Sequence, residues 1–520
     1  MKHKINVDLW LGRIGLGLIF CYCLLASILY FYFAQIHLTL SFLPFPIFVG
    51  EITMFLCFPL LVWVSRDGRL FSPRAIFFLG LYFGWVGIRA LINYHFDGPL
   101  TCRNAALFYY PIFAVFAYAF YQKAMVPPKV LIALAFLAAG ILFFKVMNVW
   151  YWWTYATFVV IAVWNAKSAQ WRWLGWIFMA VIILLGKEYF YKGPRAHFVS
   201  IFGAVVFLVS YFGALLAKRR NYTAVGILLI SFLLFIFGFF VFSNHNALSS
   251  VTSLKELINT YNAFEERYQA QQNGYVPEKL SVQLYNPKKF KDFFPSSPSA
   301  TTQPAATATV ISQPATTAKK VPQVSPSVPV VSTAIPKPKG IVEALLSPFM
   351  PHWLKNIQSS HIREGRSLDL DETNIVFRLF VWRDMARELI DNHAWWGFSF
   401  GHPQRSRSLE VLHWAESEWG RDGWITPHNS YFHIIYRAGI LGLFLIGALF
   451  FMIGRLTRDF FNMNSVEGGF LVGGLVYWLV LSNFFIILEF PYNAILIWSL
   501  FGITLAYRDG LKKQNEIFTK

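Results

Sequence analysis

Residues 427–454 read PHNSYFHIIYRAGILGLFLIGALFFMIG, which sets a few polar residues directly before a long apolar run. A run of this length crosses a bilayer as a helix, because lipid offers the backbone no other hydrogen-bond partners. His428 and Asn429 therefore lie at the mouth of a span, where the membrane meets water. Since imidazole titrates near neutral pH, His428 is a candidate for proton chemistry at this boundary.

The rest of the chain repeats the apolar pattern from end to end. Of its 520 residues, 56% are hydrophobic, 19% aromatic and only 14% charged, which excludes an ordinary soluble domain. The sequence therefore predicts an all-α polytopic membrane protein. We expect about twelve transmembrane helices, which lie near residues 14–34, 46–65, 74–94, 104–121, 129–146, 149–166, 171–187, 196–217, 223–243, 429–454, 467–486 and 490–507.

The positive charges between these spans predict the orientation. Lysine and arginine are enriched in short cytoplasmic loops, and every second connection of this chain carries them. This alternation places both termini in the cytoplasm and residues 244–428 on the outer side. It also accounts for much of the net charge of +18, so topology explains the basic composition better than binding to nucleic acid.

Three regions follow from this topology. Residues 1–243 are predicted to form an N-terminal bundle of about nine spans, and residues 429–520 a C-terminal bundle of about three spans with a cytoplasmic tail. Residues 244–428 form a large outer loop before the tenth span. Within this loop, the Pro-, Ser-, Thr- and Ala-rich segment 295–340 has too few aromatic residues to bury, which predicts a disordered tether.

Several positively charged residues on the predicted outer side break the charge rule. Arg378 lies one turn before Trp382 in a helix predicted within the outer loop. Lys192 and Arg195 lie in the short connection before the eighth span, and Arg103 begins the fourth. Charged groups near membrane depth usually mark a pathway or a substrate site, and arginine matches phosphate oxygens. An anionic lipid is therefore a candidate ligand, but phospholipid headgroups or acidic neighbours would also match these charges.

Glu489 lies between the last two predicted spans on the same outer side. The sequence leaves three roles open for it: orienting a catalytic group, binding a sugar hydroxyl, or neutralising a nearby arginine. The four cysteines form neither a disulfide pattern nor a metal-binding pattern. We therefore predict no metal site and no cofactor.

Four local features resemble the O-antigen ligase and polymerase superfamily of bacterial envelope glycan assembly. They are Gly193-Pro194-Arg195, Arg378-x-x-x-Trp382 before Gly397 and Gly401, His428-Asn429, and Gly439-x-x-Gly442. The layout, with a large outer loop before the tenth span, is similar to that of the O-antigen ligases. The segment 295–340 departs from the usual compact loop.

The resemblance implies a GT-C-like, inverting and metal-independent glycosyltransferase at the periplasmic face of the bacterial inner membrane. Its donor would be a glycan on undecaprenyl pyrophosphate. Its acceptor would be a hydroxyl of the lipid A core in a ligase, or of a second lipid-linked glycan in a polymerase. These lipid-linked glycans and the surrounding membrane lipids are the partners that the resemblance implies, and nucleic acid is not among them.

The resemblance also assigns roles to individual residues. The family's histidine corresponds to His428, which is expected to accept the proton of the attacking hydroxyl. The pyrophosphate-binding arginines correspond to Arg195 and Arg378, which would stabilise charge on the leaving group. Further candidates are Lys192 and Arg103 for the pyrophosphate, and Asn429, Trp382 and Glu489 for positioning. His433 is a weaker candidate for the base because it lies inside the tenth span.

Other functions remain open on the sequence alone. An O-antigen or exopolysaccharide polymerase, or a protein O-glycosyltransferase with the same donor, would share these motifs, because the variable outer loop recognises the acceptor. A transporter of lipid-linked glycans is the alternative from another class. Transporters commonly show paired repeats and broken helices near the bilayer midplane. The polar residues of this chain collect at the predicted outer face, which favours an enzyme.

Overall fold

The computed structural model describes residues 7–29, 36–38, 47–66, 70–98, 100–124, 126–127, 130, 195–226, 228–230, 232–233, 261–262, 265–266, 268–269, 370–408 and 427–519. Its helices are α1 (Val7–Leu29), α2 (Val49–Ser65), α3 (Pro73–Asp97), α4 (Leu100–Tyr109), α5 (Ile112–Ala124), α6 (Arg195–Lys218), α7 (Leu370–Asp391), α8 (Ser430–Asn462), α9 (Val466–Leu481) and α10 (Pro491–Thr519). Two short antiparallel strands, β1 (His37–Leu38) and β2 (Ile47–Phe48), pair ahead of α2.

Five helical stretches of the described chain are long and apolar enough to cross a membrane. They are Val7–Ala26, Pro73–Asp97, Leu100–Ala124, Ser430–Asn462 and Pro491–Ile517. Shorter apolar helices lie at Val49–Ser65, Phe202–Lys218 and Val466–Leu481. The prediction of a helical membrane protein is thereby confirmed. Apart from residue 130, the predicted spans 129–146, 149–166 and 171–187 and the segment 295–340 lie outside the described residues, so the number of spans and the domain boundaries stay predictions.

Two apolar clusters hold the described helices together. One joins α1, α2, α5 and α10 around the buried rings of Phe113, Phe116 and Phe120. The other joins α6, α8 and α9, with Phe212 and Phe460 among its buried side chains. These clusters bury the faces that the helices turn toward one another, while large apolar side chains elsewhere on the spans stay exposed, as expected for lipid-facing surfaces.

Two predicted spans differ from simple helices near their polar ends. α1 is described from Val7, ahead of the span expected near residues 14–34, and Asp8 in its first turn is paired with Lys123 at 3.2 Å and with Arg66 at 3.5 Å. The fourth predicted span is two helices, α4 and α5, since Pro111 disfavours helical geometry at the residue before it. Glu51 of α2 stabilises this corner. Its carboxylate accepts hydrogen bonds from the hydroxyls of Tyr109 at 2.5 Å and Tyr110 at 2.7 Å.

The tenth predicted span is also interrupted. α8 contains Gly439 at φ 56°, ψ −132°, a backbone conformation that residues other than glycine rarely adopt. The segment that follows α7 supplies replacement hydrogen bonds at the break. Ile440 donates to the carbonyl of Trp395, and Phe398 donates to the carbonyl of Tyr436, each at 2.8 Å. The backbone of the segment after α7 is thus joined directly to an interrupted helix.

α7 confirms the helix that was predicted within the outer loop. Its Val381 and Met385 pack against Tyr436 of α8. On another side, the ring of Tyr261 stacks on Phe380 with centroids 5.2 Å apart. α7 therefore lies between the start of α8 and the described residues of the segment 261–269.

Candidate functional site

His428 lies at the junction of α7 and α8. Its backbone has φ +48°, in the left-handed region, and the next residue begins the cap of α8. The side chain of Asn429 accepts hydrogen bonds from the N–H groups of Tyr431 at 2.9 Å and Phe432 at 3.0 Å. These two donors would otherwise lack partners at the helix start. Asn429 is therefore the N-cap of α8.

α7 braces the residues just before this cap. The indole of Trp382 donates to the carbonyl of Pro427 at 2.6 Å and stacks on Phe432 with centroids 5.2 Å apart. The ring of Phe377 lies edge-on to the imidazole of His428, with centroids 6.2 Å apart. Trp382 thus contacts one residue before His428 in the chain and one residue after it.

The pKa of His428 is lowered to about 4. Burial is the larger cause, because the surrounding protein disfavours a charged imidazolium, and the positive charge of Arg378 adds to it. The ring is therefore neutral near pH 7. A neutral imidazole is the form that accepts a proton.

Arg378 connects α7 to the segment 482–490, which joins α9 to α10. Its guanidinium donates to the carbonyl of Phe484 at 3.1 Å and lies 5.8 Å from the ring centre of Phe485. The same segment contacts the start of α8, where Ser430 donates from its hydroxyl to the carbonyl of Phe485 at 2.9 Å. Arg378 and the start of α8 are therefore held by one stretch of chain.

Glu489 lies at the end of this segment and is 3% exposed. Its Oε1 accepts from Nε of Arg103 at 3.0 Å, and its Oε2 lies 3.0 Å from Nδ1 of His433. Burial by itself would raise the pKa of Glu489, but Arg103, His433 and Arg437 outweigh it and hold the pKa below its usual range. The carboxylate of Glu489 is therefore shared between an arginine and a histidine.

His433 and Arg437 continue this polar group into α8. Nε of Arg437 donates to Nε2 of His433 at 3.3 Å. Nη1 of Arg437 donates to the carbonyls of Ser399 and His402, each at 2.7 Å. Four side chains from α4, α8 and the segment 482–490 thus form one continuous network, of which Glu489, His433 and Arg437 are buried.

The carbonyl groups of the loop 395–402 are bound by donors from three helices. Arg89 of α3 donates to the carbonyls of residues 396, 397 and 398 at 3.2, 3.3 and 2.8 Å. Asn104 of α4 donates to the carbonyl of Phe400 at 2.6 Å, and Arg437 of α8 binds two more. A non-helical backbone is stable beside a membrane only when its polar groups are satisfied in this way.

The predicted site residues fall into two connected groups. His428, Asn429, Arg378 and Trp382 meet where α7 lies against the start of α8. Arg103 and Glu489 pair with each other, and the segment 482–490 joins them to the first group. Arg195 begins α6, but its side chain lies outside the described residues, as does Lys192. Within the described ranges, no three His, Cys, Asp or Glu side chains lie close enough together to hold a metal ion.

Sequence reasoning gave no role to Arg437 and ranked His433 below His428. Both residues lie in an apolar run, four positions apart and hence on one face of the helix. A histidine and an arginine at this spacing within a predicted span were the available signal, because charged groups at membrane depth need partners. The partner itself, Glu489, lies far away in sequence, which no local pattern indicates.

The fold and the site define a multi-pass helical membrane protein with a neutral histidine and an arginine beside the start of a broken span. Residues 339–447 match the family model described as O-Antigen ligase, which confirms the resemblance over this domain. This match includes His428, Arg378 and Gly439 but neither Arg103 nor Glu489. No curated protein and no solved structure matches the chain. The domain points to a glycosyltransferase-type enzyme that acts on lipid-linked glycans.

Proposed function

We propose that this protein is an inverting, metal-independent glycosyltransferase at the periplasmic face of the bacterial inner membrane. It moves a glycan from undecaprenyl pyrophosphate to an acceptor hydroxyl, for which the O-antigen ligase domain favours the lipid A core. The observation that carries the proposal is the neutral His428 beside Arg378 at the start of α8. The imidazole of His428 can accept a proton, and the guanidinium of Arg378 can attract an anion.

Arg378 suits the pyrophosphate of such a donor. Burial lowers the pKa of its guanidinium, which shows that the charge has lost part of its hydration. An anionic ligand restores favourable interactions to a charge of this kind. The planar donor fork of arginine also matches phosphate oxygens in geometry.

Donor binding and proton acceptance are coupled through this charge. Without the donor, Arg378 opposes protonation of His428. A bound pyrophosphate neutralises Arg378, so the pKa of His428 rises when the leaving group is in place. The imidazole becomes a stronger base in the complex that reacts.

The reaction then follows as a single displacement. The acceptor hydroxyl attacks the anomeric carbon and gives its proton to His428, while the bond from that carbon to the pyrophosphate oxygen breaks. The pyrophosphate leaves with the electron pair, and its charge is stabilised by Arg378 together with Arg195, Lys192 and Arg103. Attack opposite the leaving group inverts the anomeric centre, and His428 afterwards releases its proton to water.

Replacing Arg378 tests the donor assignment. Arg378→Ala is expected to lower glycan transfer by about 100-fold or more, because leaving-group charge loses a preorganised partner. The activity of Arg378→Lys should lie between those of the wild type and Arg378→Ala, since lysine keeps the positive charge but lacks the planar guanidinium donors. The measurement is the ratio of transferred glycan to lipid-linked donor in envelopes with matched expression. Arg387→Ala, at an exposed position on the same helix, is the matched control. Normal product in Arg378→Ala would contradict the assignment.

The pH dependence tests the coupling between Arg378 and His428. The acid limb of kcat/KM should lie near pH 4, because this ratio reports the free enzyme, in which the pKa of His428 is about 4. The acid limb of kcat should lie at higher pH, since the bound donor neutralises Arg378. In Arg378→Ala the limb of kcat/KM should also move to higher pH. If the acid limb of kcat/KM stays at the wild-type pH in Arg378→Ala, the proposed coupling between Arg378 and His428 is excluded.

The products that accumulate separate the remaining alternatives. Full-length lipid-linked chains in an inactive variant indicate a ligase, whereas single lipid-linked repeats indicate a polymerase. Intact lipopolysaccharide with unglycosylated target proteins would indicate protein O-glycosylation. Normal product in both the His428→Ala and the Arg378→Ala variants would favour a transporter.

A further inference from the structure

We propose that His433 and Arg437 are positioning residues of the transfer reaction: they fix Glu489 and, through it, orient Arg103 toward the pyrophosphate of the donor. This inference rests on the proposed function. His433 and Arg437 act without touching the substrate, and Arg103 is the group that meets it.

The side chains of this network differ in solvent exposure. Arg437 is 1% exposed, His433 2% and Glu489 3%, whereas the side chain of Arg103 is 29% exposed. Arg103 is thus the member of the network with substantial access to an anionic ligand. The three buried members lie behind it and set its orientation.

The inner end of the network is fixed to the backbone. Arg437 donates to the carbonyls of Ser399 and His402, so its guanidinium is tied to the loop 395–402. Its Nε then points at Nε2 of His433, at 3.3 Å. Because the loop is itself held by Arg89 and Asn104, the position of Arg437 is determined by three helices.

Arg437 also determines which nitrogen of His433 carries the proton. Arginine donates hydrogen bonds and accepts none, so Nε2 of His433 must be the acceptor. The ring is then the neutral tautomer with its proton on Nδ1, which faces Oε2 of Glu489 at 3.0 Å. Each ring nitrogen thus faces a charged side chain, which separates the role of His433 from that of a base such as His428.

Glu489 transmits this order to Arg103. Oε2 of Glu489 lies 3.0 Å from Nδ1 of His433, and Oε1 accepts a hydrogen bond from Nε of Arg103 at 3.0 Å. A bond to Nε fixes the plane of the guanidinium about the end of its flexible stem. Loss of His433 removes the imidazole beside this buried carboxylate oxygen, and the carboxylate is then free to turn toward another polar group. Arg103 then loses its fixed direction.

A pair of variants distinguishes positioning from proton transfer. Glutamine carries both a donor and an acceptor and does not titrate, so His433→Gln can replace the neutral tautomer, whereas His433→Ala cannot. We expect His433→Ala to lower glycan transfer by about 100-fold through misplacement of the reacting groups, and His433→Gln to restore most of it. Binding of farnesyl pyrophosphate to the purified full-length protein should weaken and recover in parallel. Phe444→Ala, at a position 69% exposed on the same helix, controls for expression.

A double substitution tests whether His433 acts through Arg103. If it does, His433→Ala combined with Arg103→Ala should lose no more activity than the worse single variant. Losses that multiply would overturn the inference. An inactive His433→Gln variant with a wild-type melting temperature would overturn it as well, because the imidazole itself would then be required.

Two further results separate this inference from the proposed function. The groups that face His433 are Glu489, Arg437 and Arg103, and none of them should shape the acid limb of kcat/KM. If His433→Gln removes that limb, His433 is the base and the positioning role is wrong. If the wild-type protein does not bind farnesyl pyrophosphate, the pyrophosphate donor is wrong, and the proposed function fails with everything that rests on it.

Discussion

Replacement of His428 by alanine is expected to reduce glycan transfer by about 10²–10⁴-fold, the usual contribution of a general base. The loss should fall on kcat, because Arg378 remains in place to bind the pyrophosphate. Lipid-linked donor should therefore accumulate in the envelopes while farnesyl pyrophosphate still binds the purified protein. A variant that loses binding and kcat together would indicate a structural role for the ring.

A second histidine provides the matched control. His393 lies in the turn after α7, is exposed, and has φ +50°, close to the value of His428. Asparagine tolerates this left-handed conformation, so His393→Asn tests the loss of an imidazole without backbone strain. We expect wild-type transfer from His393→Asn. Normal transfer from His428→Ala under the same expression would remove His428 from the mechanism.

Gly439→Ala is expected to destabilise the protein by about 3 kcal/mol or more, through strained backbone geometry and overpacking together. A Cβ at this position would lie 1.9 Å from the carbonyl oxygen of Trp395, which is backbone and cannot rotate away. Relief of the clash requires the loop 395–402 to leave α8. The network that begins at Arg437 would lose its anchor, so transfer should fall with the melting temperature.

Gly447→Ala is the control on the same helix. A Cβ there meets no atom within 4 Å, and the position is regular helix. Alanine is favoured over glycine in a helix interior by about 0.5–1 kcal/mol, so this variant should melt at the wild-type temperature or slightly above it. Thermal unfolding in detergent, followed by the envelope assay, measures both effects. Equal melting temperatures for Gly439→Ala and Gly447→Ala would show that the break in α8 does not require glycine for stability.

The parts of the fold that follow from local sequence could be predicted. Apolar runs of sufficient length indicated α3, α8 and α10, because hydropathy and helical hydrogen bonding are properties of one segment. The helical spacing of apolar residues indicated α7, and the polar residues before α8 placed His428 and Asn429 at its start. Arg378 and Trp382 followed as neighbours from a spacing of one turn.

The parts that depend on distant contacts could not be predicted. The glycines at 397 and 439 were recognised as a motif, but their meeting, and the resulting break in a span, are set by tertiary packing. Glu489 was singled out as an unusual charge, yet its pairing with Arg103 joins residues 386 positions apart, and its contact with His433 joins two different segments of the bundle. The division of the fourth span at Pro111 was missed, since its apolar pattern continues through the proline.

The contact between Gly397 and Gly439 has a consequence for genetics. A Cβ on Gly397 would lie 2.5 Å from the backbone nitrogen of Ala438, and a Cβ on Gly439 would lie 2.5 Å from the backbone nitrogen of Gly397. Each obstacle is main chain, which every amino acid shares. No substitution at one position therefore makes room for a larger residue at the other, so a defect at either glycine should find no compensating substitution at its partner.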